Sequence, residues 1–329
     1  MSNRDTFYLT TAIPYVNGRP HLGHLLEWMQ ADAIASYQTM LGKDVRFASG
    51  ADENSLKNVQ AAEQAGVPVQ DWLNEYSEIF REAYREFDID LTDFQRGSDK
   101  ERHWPGVQKL WQLCHQSDDL YKKQYKGLYC VGCESFYKES ELEDGNCPEH
   151  LRPPEVVEEE NYFFKLSKYQ DQIRELIESD EVAIISERYK NEMLAFIDQG
   201  LEDFSVSRSV ERARGVGVPV PTDPSQVMYV WFDALSIYLT AIGWGREGLE
   251  DRFQKYWPAD VHVIGKGINR FHSIYWLGML LSAGLELPKT IAVHGYISAE
   301  GHKMSKSLGN VVDPFEAKDE YGLEPLRYF

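Results

Sequence analysis

A buried strand that runs into a long amphipathic helix, and then does so again, limits this chain's fold more than any other feature. Phe7-Tyr8-Leu9-Thr10-Thr11-Ala12 is an unbroken strand-like run. Gly18, Arg19 and Pro20 make a turn, and Pro20 suits the first position of a helix. From Leu22 the apolar residues recur at Leu25, Leu26, Met29, Ala33, Ile34, Tyr37 and Met40, which is helical spacing. A second strand over Asp44–Ala48 leads to a helix from about Ser55 to Ala65. A long amphipathic segment, about Val69 to Phe87, follows. The pattern returns late, with a strand at Val261–Ile264, a helix over Arg270–Ala283 and a strand at Thr290–Val293. Such alternation predicts an α/β fold, a Rossmann-like doubly wound parallel sheet with right-handed crossovers. Ligands of such sheets bind beyond the carboxyl ends of the strands. Asp52, His272 and the segment after Val293 all follow such ends.

Two short segments carry the chemistry. The first is Pro20-His21-Leu22-Gly23-His24, at the start of the first helix. Helix N-termini favour phosphate through unpaired N–H groups and the positive dipole end. Two imidazoles three residues apart add donors, and Gly23 lets a flat base approach the backbone. Alone, this pair would equally suit a helix cap. The second is His302-Lys303-Met304-Ser305-Lys306-Ser307-Leu308-Gly309-Asn310. It follows a loop read over Gly295–His302. Lysines on such a segment can close over a triphosphate, and one preorganised donor of this kind is typically worth ~10²–10³ in rate.

Cys130-Val131-Gly132-Cys133 and Cys147-Pro148-Glu149-His150 form two paired half-sites, with Asp144-Gly145 as a turn between them. Three thiolates and one imidazole, Cys130, Cys133, Cys147 and His150, suit a closed, structural zinc ion. Cys114 stands apart and reads as an ordinary buried thiol.

The chain has 329 residues, 43% hydrophobic and 26% charged, enough for one or two globular domains. No apolar run is long enough to span a membrane. Four cysteines argue against a disulfide scaffold and for a reducing, cytoplasmic setting. The net charge of −19 argues weakly against tight nucleic-acid binding by this chain alone. Glu139–Glu160 carries much of it, nine acidic residues against one basic. Residues 120–226 are rich in turns and acids and read as an insertion. The expected division is 1–119 and 227–329 for two halves of one catalytic domain. Residues 120–226 then form a connective domain with the knuckle at 126–154.

The two segments together resemble the HIGH and KMSKS signatures of class I aminoacyl-tRNA synthetases. Thr11–Gly18, Tyr229–Tyr238 and His262–Lys266 with Phe271-His272 extend the likeness over nearly the whole chain. It resembles the catalytic core of the methionyl-tRNA synthetase family, of the kind with a single zinc knuckle. The resemblance implies ATP-dependent activation of methionine to its adenylate and transfer to tRNA. His21, His24, Lys303 and Lys306 would stabilise charge in the reaction. Asn17, Gly23, Gly265, Ile297 and Ser305 would contact ATP, accompanied by Mg²⁺. The Ile13 backbone and Asp52 would hold the substrate ammonium. Tyr15, Trp231, Ala234, Leu235, Tyr238 and His272 would line the methionine pocket, where aromatic walls suit a polarizable thioether.

There are departures. The family usually reads Thr-Asp-Glu-His-Gly where this chain has Ala51-Asp52-Glu53-Asn54-Ser55. Gly267 stands where an aspartate is usual, and Leu235 where a proline is often found. Family members continue into a helical anticodon-binding domain, and no segment here corresponds to it. The tRNA acceptor end remains an expected partner. Two other readings stay open: a truncated paralogue that adenylates an amino acid for a non-tRNA acceptor, and a non-catalytic binding module.

Overall fold

The computed structural model describes residues 5–132, 135–148, 151–299, 302–303 and 312–328. The chain opens with β1 (Thr6–Thr11), α1 (Leu22–Met40), β2 (Asp44–Ala51), α2 (Leu56–Ala65), α3 (Val69–Glu86), β3 (Asp93–Arg96) and α4 (Trp104–Gln116). Next come β4 (Leu120–Cys130), β5 (Ser135–Tyr137), β6 (Glu155–Phe164), α5 (Gln170–Glu178), β7 (Ala183–Ile185) and α6 (Glu187–Asp198). They are followed by β8 (Phe204–Ser205), β9 (Ser207–Ser209), β10 (Pro219–Val220), β11 (Asp223–Met228), α7 (Val230–Thr240) and α8 (Glu250–Tyr256). The last part holds β12 (Val261–Gly265), α9 (Leu277–Ser282), β13 (Thr290–His294), β14 (Ser298–Ala299), β15 (His302–Lys303), α10 (Pro314–Tyr321) and α11 (Leu323–Tyr328).

Six strands form one parallel sheet in the order β3-β2-β1-β12-β13-β7. Both faces are covered, which is why β1 and β12 read as continuous apolar runs. Successive residues of β1 go to opposite sides. Tyr8 joins a core with Trp111, Phe232 and Trp276. Leu9 joins the other with Leu25, Trp28, Phe80 and Tyr84 of α1 and α3. The strand order reverses between β1 and β12, so the crevice at their carboxyl ends is where a ligand is expected.

Within 120–226 the chain does two things. β5-β4-β6-β8 form a four-stranded sheet, and β10-β11-β9 a three-stranded antiparallel one. β7, however, pairs with β13 and is the edge strand of the parallel sheet. The Asp144-Gly145 turn closes a bridge between Glu143 and Asn146. Both turn residues have positive φ (50° and 77°), as a type I′ turn requires.

Two local expectations are corrected. The span 270–283 is not one regular α-helix: Phe271–Trp276 is a π-helical turn that leads into α9. The span 295–302 is not all loop, because Ser298–Ala299 pairs antiparallel with His302–Lys303. Among the described residues, no helix is long and apolar enough to cross a membrane.

Candidate active site

The site is built first at the start of α1. His21 is the N-cap, with extended backbone (φ −130°), and its Nδ1 accepts the Gly23 N–H at 3.1 Å. His24 returns the contact, its Nδ1 accepting the His21 N–H at 3.1 Å. This reciprocal capping box normally uses Ser or Thr with Glu; here two imidazoles do the same work. The rings stack at 3.8 Å. Because each Nδ1 accepts from the backbone, each neutral ring carries its proton on Nε2. The expectation of bare helix amides is therefore corrected. Two of those N–H groups, on His21 and Gly23, are taken by the histidines. Gly23 has a local reason as well: a Cβ there would lie 2.9 Å from the His21 ring.

A cleft of about 1050 Å³ opens at the β1–β12 switch. It is lined by Ile13, Tyr15, Asn17, His21, Gly23, His24, Trp231, Ala234, Leu235, Tyr238, Gly265, His272 and Ile297, all named from the sequence. Asp52 is buried beside it. Its N–H donates to the Pro14 carbonyl at 2.9 Å, and it bridges to Tyr15. Lys303 lies in β15. Lys306, Ser305, Cys133 and His150 fall outside the described residues.

One end of the cleft is aromatic. Trp231 stacks on Phe271 at 3.8 Å with planes 6° apart. Tyr238 and His272 meet at 2.7 Å, and His272 Nδ1 lies 3.0 Å from the Ile268 carbonyl. A carbonyl only accepts, so Nδ1 carries the proton and the Tyr238 hydroxyl donates to Nε2. Burial lowers the His272 pKa to about 4, so the ring stays neutral at physiological pH. An uncharged wall of this kind suits an apolar side chain.

Residues that the sequence reading did not single out complete the site. Glu27 is nearly buried, accepts the Ala12 N–H at 2.8 Å and faces His294 Nε2 at 3.0 Å. Lys57 sits 3.9 Å over the Tyr15 ring. Lys266 lies 4.6 Å over Tyr296. A Cβ on residue 267 would lie 2.1 Å from the Tyr296 hydroxyl, so glycine there gives its space to tyrosine. Behind the aromatic end, the buried Asp233 accepts from His103 Nε2 and Asn54 Nδ2, both at 2.6 Å. His103 Nδ1 lies 2.7 Å from the Thr240 hydroxyl, and Asn54 also donates to the Gly97 carbonyl at 2.9 Å. An acid inside the apolar run Tyr229–Tyr238 was the available sequence signal. Asn54 and Ser55 thus have defined places: Ser55 caps α2 by accepting the Lys57 N–H.

Residues beside the two cysteine pairs border the same cleft, since Gly132, Tyr137 and Pro148 line it. Arg208 joins the two regions. Its guanidinium lies 5.1 Å from the Tyr129 ring, 5.0 Å from Phe136 and 4.3 Å from Tyr229, the N-cap of α7.

The family model described as "tRNA synthetases class I (M)" matches residues 7–153 and 150–329. The methionine–tRNA ligase of Caldanaerobacter subterraneus subsp. tengcongensis is 44% identical over 326 residues, covering 99% of this chain and 50% of that protein. The Brucella suis enzyme is 43% identical over 331 residues, covering 99% of this chain and 63% of that one. The chain therefore spans between half and two thirds of these relatives. Mycobacterium tuberculosis methionyl-tRNA synthetase in complex with methionyl-adenylate superposes with a TM-score of 0.93 at 41% identity, covering 98% of this chain and 64% of that one. The apo form of that enzyme gives 0.82 at 36% identity, covering 99% and 61%. With the parallel sheet, the imidazole-capped helix and a family match along its length, this chain belongs to the class I tRNA synthetases of the M family.

Proposed function

We propose that this chain carries an adenylation centre that activates methionine with ATP and passes the methionyl group to tRNA. The observation that carries this reading is the cleft at the strand-order reversal. It places the imidazole-capped helix terminus beside a neutral aromatic pocket. The substrate carboxylate would attack the α-phosphorus, forming a P–O bond as the bond to pyrophosphate breaks. The Nε2–H groups of His21 and His24 would stabilise charge on the phosphate oxygens. Lys303 and Lys306 would neutralise the leaving pyrophosphate. The Ile13 backbone and Asp52 would hold the substrate ammonium; Asn17, Gly23, Gly265, Ile297 and Ser305 would position ATP. Tyr15, Trp231, Ala234, Leu235, Tyr238 and His272 would enclose the thioether side chain. No side-chain nucleophile is required, because positioning and electrostatics supply the rate. Magnesium would arrive with the ATP phosphates.

We also read a structural zinc site at Cys130, Cys133, Cys147 and His150. Cys130 and Cys147 are both buried, and Cys130 ends β4 where the chain turns into β5. The Cys147 carbonyl accepts the Leu151 N–H at 2.8 Å, and the Cys147 N–H donates to the Arg152 carbonyl at 2.9 Å. Buried thiols with an imidazole suit zinc and not magnesium. The ion would supply a fold closure and no chemistry in the reaction. Residues 1–119 and 227–329 then form the catalytic domain, which takes its edge strand β7 from within 120–226, and the rest of that span forms the connective domain. The setting we propose is cytoplasmic.

Amino-acid-dependent ATP–pyrophosphate exchange tests the reading, run over all twenty amino acids and without tRNA. Exchange with methionine alone supports it, and transfer to tRNA is then assayed directly. Exchange with a different amino acid overturns the pocket assignment. No exchange from folded protein overturns the adenylation itself.

A further inference from the structure

His294 sits where three parts of the site meet. It is the last residue of β13 and pairs in register with Gly265, the last of β12. It also stands just before the β14–β15 hairpin, which carries Lys303. Its Nε2 is 3.0 Å from Glu27 Oε2, and its Nδ1 is 2.8 Å from the Gly295 carbonyl. The other Glu27 oxygen holds the Ala12 N–H, immediately after β1. One carboxylate therefore spans the reversal point, from the end of β1 to the end of β13. Both side chains are about nine-tenths buried and both line the cleft.

A neutral imidazole has one donor and one acceptor nitrogen. Here both nitrogens face acceptors, a carbonyl and a carboxylate. Only the doubly protonated ring satisfies both. Burial opposes that charge, but the Glu27 hydrogen bond and charge, with the Gly295 carbonyl, outweigh it and raise the pKa above its ordinary value. Other titratable groups of the cleft include His21 and His24 at the start of α1, Lys57 on α2, Tyr238 on α7 and Arg270. Lys266 follows Gly265 and stands over the Tyr296 ring on the loop after β13. On α6, the Tyr189 hydroxyl approaches Gly295, and Glu192 lines the cleft.

We propose that His294 is a positioning residue held as an imidazolium, tying the root of the lysine-bearing hairpin to α1 so that ATP binding depends on this one proton. The inference rests on the cleft's being a nucleotide site. Raising the pH removes the proton, breaks one of the two contacts and frees the root of the hairpin. ATP binding then weakens while the aromatic pocket, at the other end of the cleft, is unchanged.

The experiment has two arms, on the full chain. In the first, ¹⁵N-histidine labelling reads the ring by NMR across pH 6–9. Wild type should show one ring with both nitrogens protonated above the ordinary histidine range, and Glu27→Gln should lose that signature. In the second, ATP dissociation constants are measured by equilibrium dialysis over the same range. Wild type should weaken about ten-fold with one inflection, the size expected for a charge-assisted hydrogen bond. His294→Gln should bind weakly and show no inflection. A ring with a single N–H at pH 7 overturns the proposal. So does a His294→Gln profile that matches wild type. If His294→Gln melts at a markedly lower temperature, Glu27→Gln decides, since it keeps the histidine. Neither arm needs an amino acid. Normal results here without any pyrophosphate exchange would overturn the adenylation reading and leave this one standing.

Discussion

Asp233→Ala is the most informative single change in this protein. Asp233 is 1% exposed and lies in the first turn of α7, next to the pocket residues Ala234 and Leu235. Its two oxygens accept from His103 and Asn54. Both of those residues follow the ends of β2 and β3, so the carboxylate fastens α7 to the carboxyl ends of these strands. Removing it leaves two buried donors facing a small void. A buried donor left without its acceptor typically costs about 1–3 kcal/mol, so the two donors together cost about 3–5 kcal/mol. An unfolding entropy of about 2.1 cal/mol/K per residue over 329 residues converts this into a fall in Tm of ~4–7 °C. Function should suffer in a directed way. With α7 loosened, the KM for methionine in pyrophosphate exchange should rise by an order of magnitude, roughly the 1–3 kcal/mol of a misplaced pocket wall, while the KM for ATP stays within two-fold. Asp233→Asn should keep the His103 contact and lose the Asn54 one, and so fall between. Thermal melting followed by circular dichroism, with exchange kinetics on the same samples, makes the measurement. A stability loss for Asp233→Ala below ~1 kcal/mol, the scale of an ordinary hydrogen bond, would refute the reasoning.

Three further outcomes are expected. Gly23→Ala should displace the His21 cap, lower stability by about 1 kcal/mol and raise the KM for ATP but not for methionine; equal changes in both would count against it. Acid should destabilise the fold through His272, whose folded pKa of about 4 lies below the ordinary value. The unfolded chain then binds the proton first, so this stability is complete above pH ~6.5 and lost as pH falls toward 4, about 2 kcal/mol by pH 5. Burial lowers His262 in the same direction, so urea titrations at pH 7 and pH 5 should differ, and His272→Gln should flatten the difference. Metal analysis should find one zinc per chain; chelation should expose residues 126–154 to protease while the parallel sheet keeps its far-ultraviolet spectrum.

The elements legible in the sequence are those with a strong local pattern. β1 and β12 are apolar runs buried on both faces for most of their length, β2 is buried over its second half, β13 is a short β-branched run, and α1 to α3 show helical spacing. β3 escaped because Asp93-Phe94-Gln95-Arg96 is mostly polar; its buried acid is held by Arg46 and Arg252, far away in sequence. β7 escaped because Ala183–Ile185 is three residues long and becomes a strand only by lying against β13. At the site, the motif histidines and pocket aromatics were visible as residue types. Glu27 and His294 were not, because each looks ordinary within its own element and acquires meaning only by meeting the other 267 residues away. Asn54 and Gly267 look like losses in the sequence. In the structure one binds Asp233 and the other makes room for Tyr296.

The pairing of β1 with β12 has a consequence for how this protein is made. Thr10 lies opposite His262, 252 residues later. A ribosome adding about 5–20 residues per second needs ~10–50 s to bring that partner out. Until then the nascent amino-terminal half is a three-stranded half-sheet with one raw edge at its eventual centre, next to the apolar face of Tyr8, whose partners Phe232 and Trp276 are not yet made. Such an edge is a template for pairing with other chains. The strand at the heart of the finished active site is therefore the chief aggregation hazard during synthesis, and slower translation lengthens the exposure.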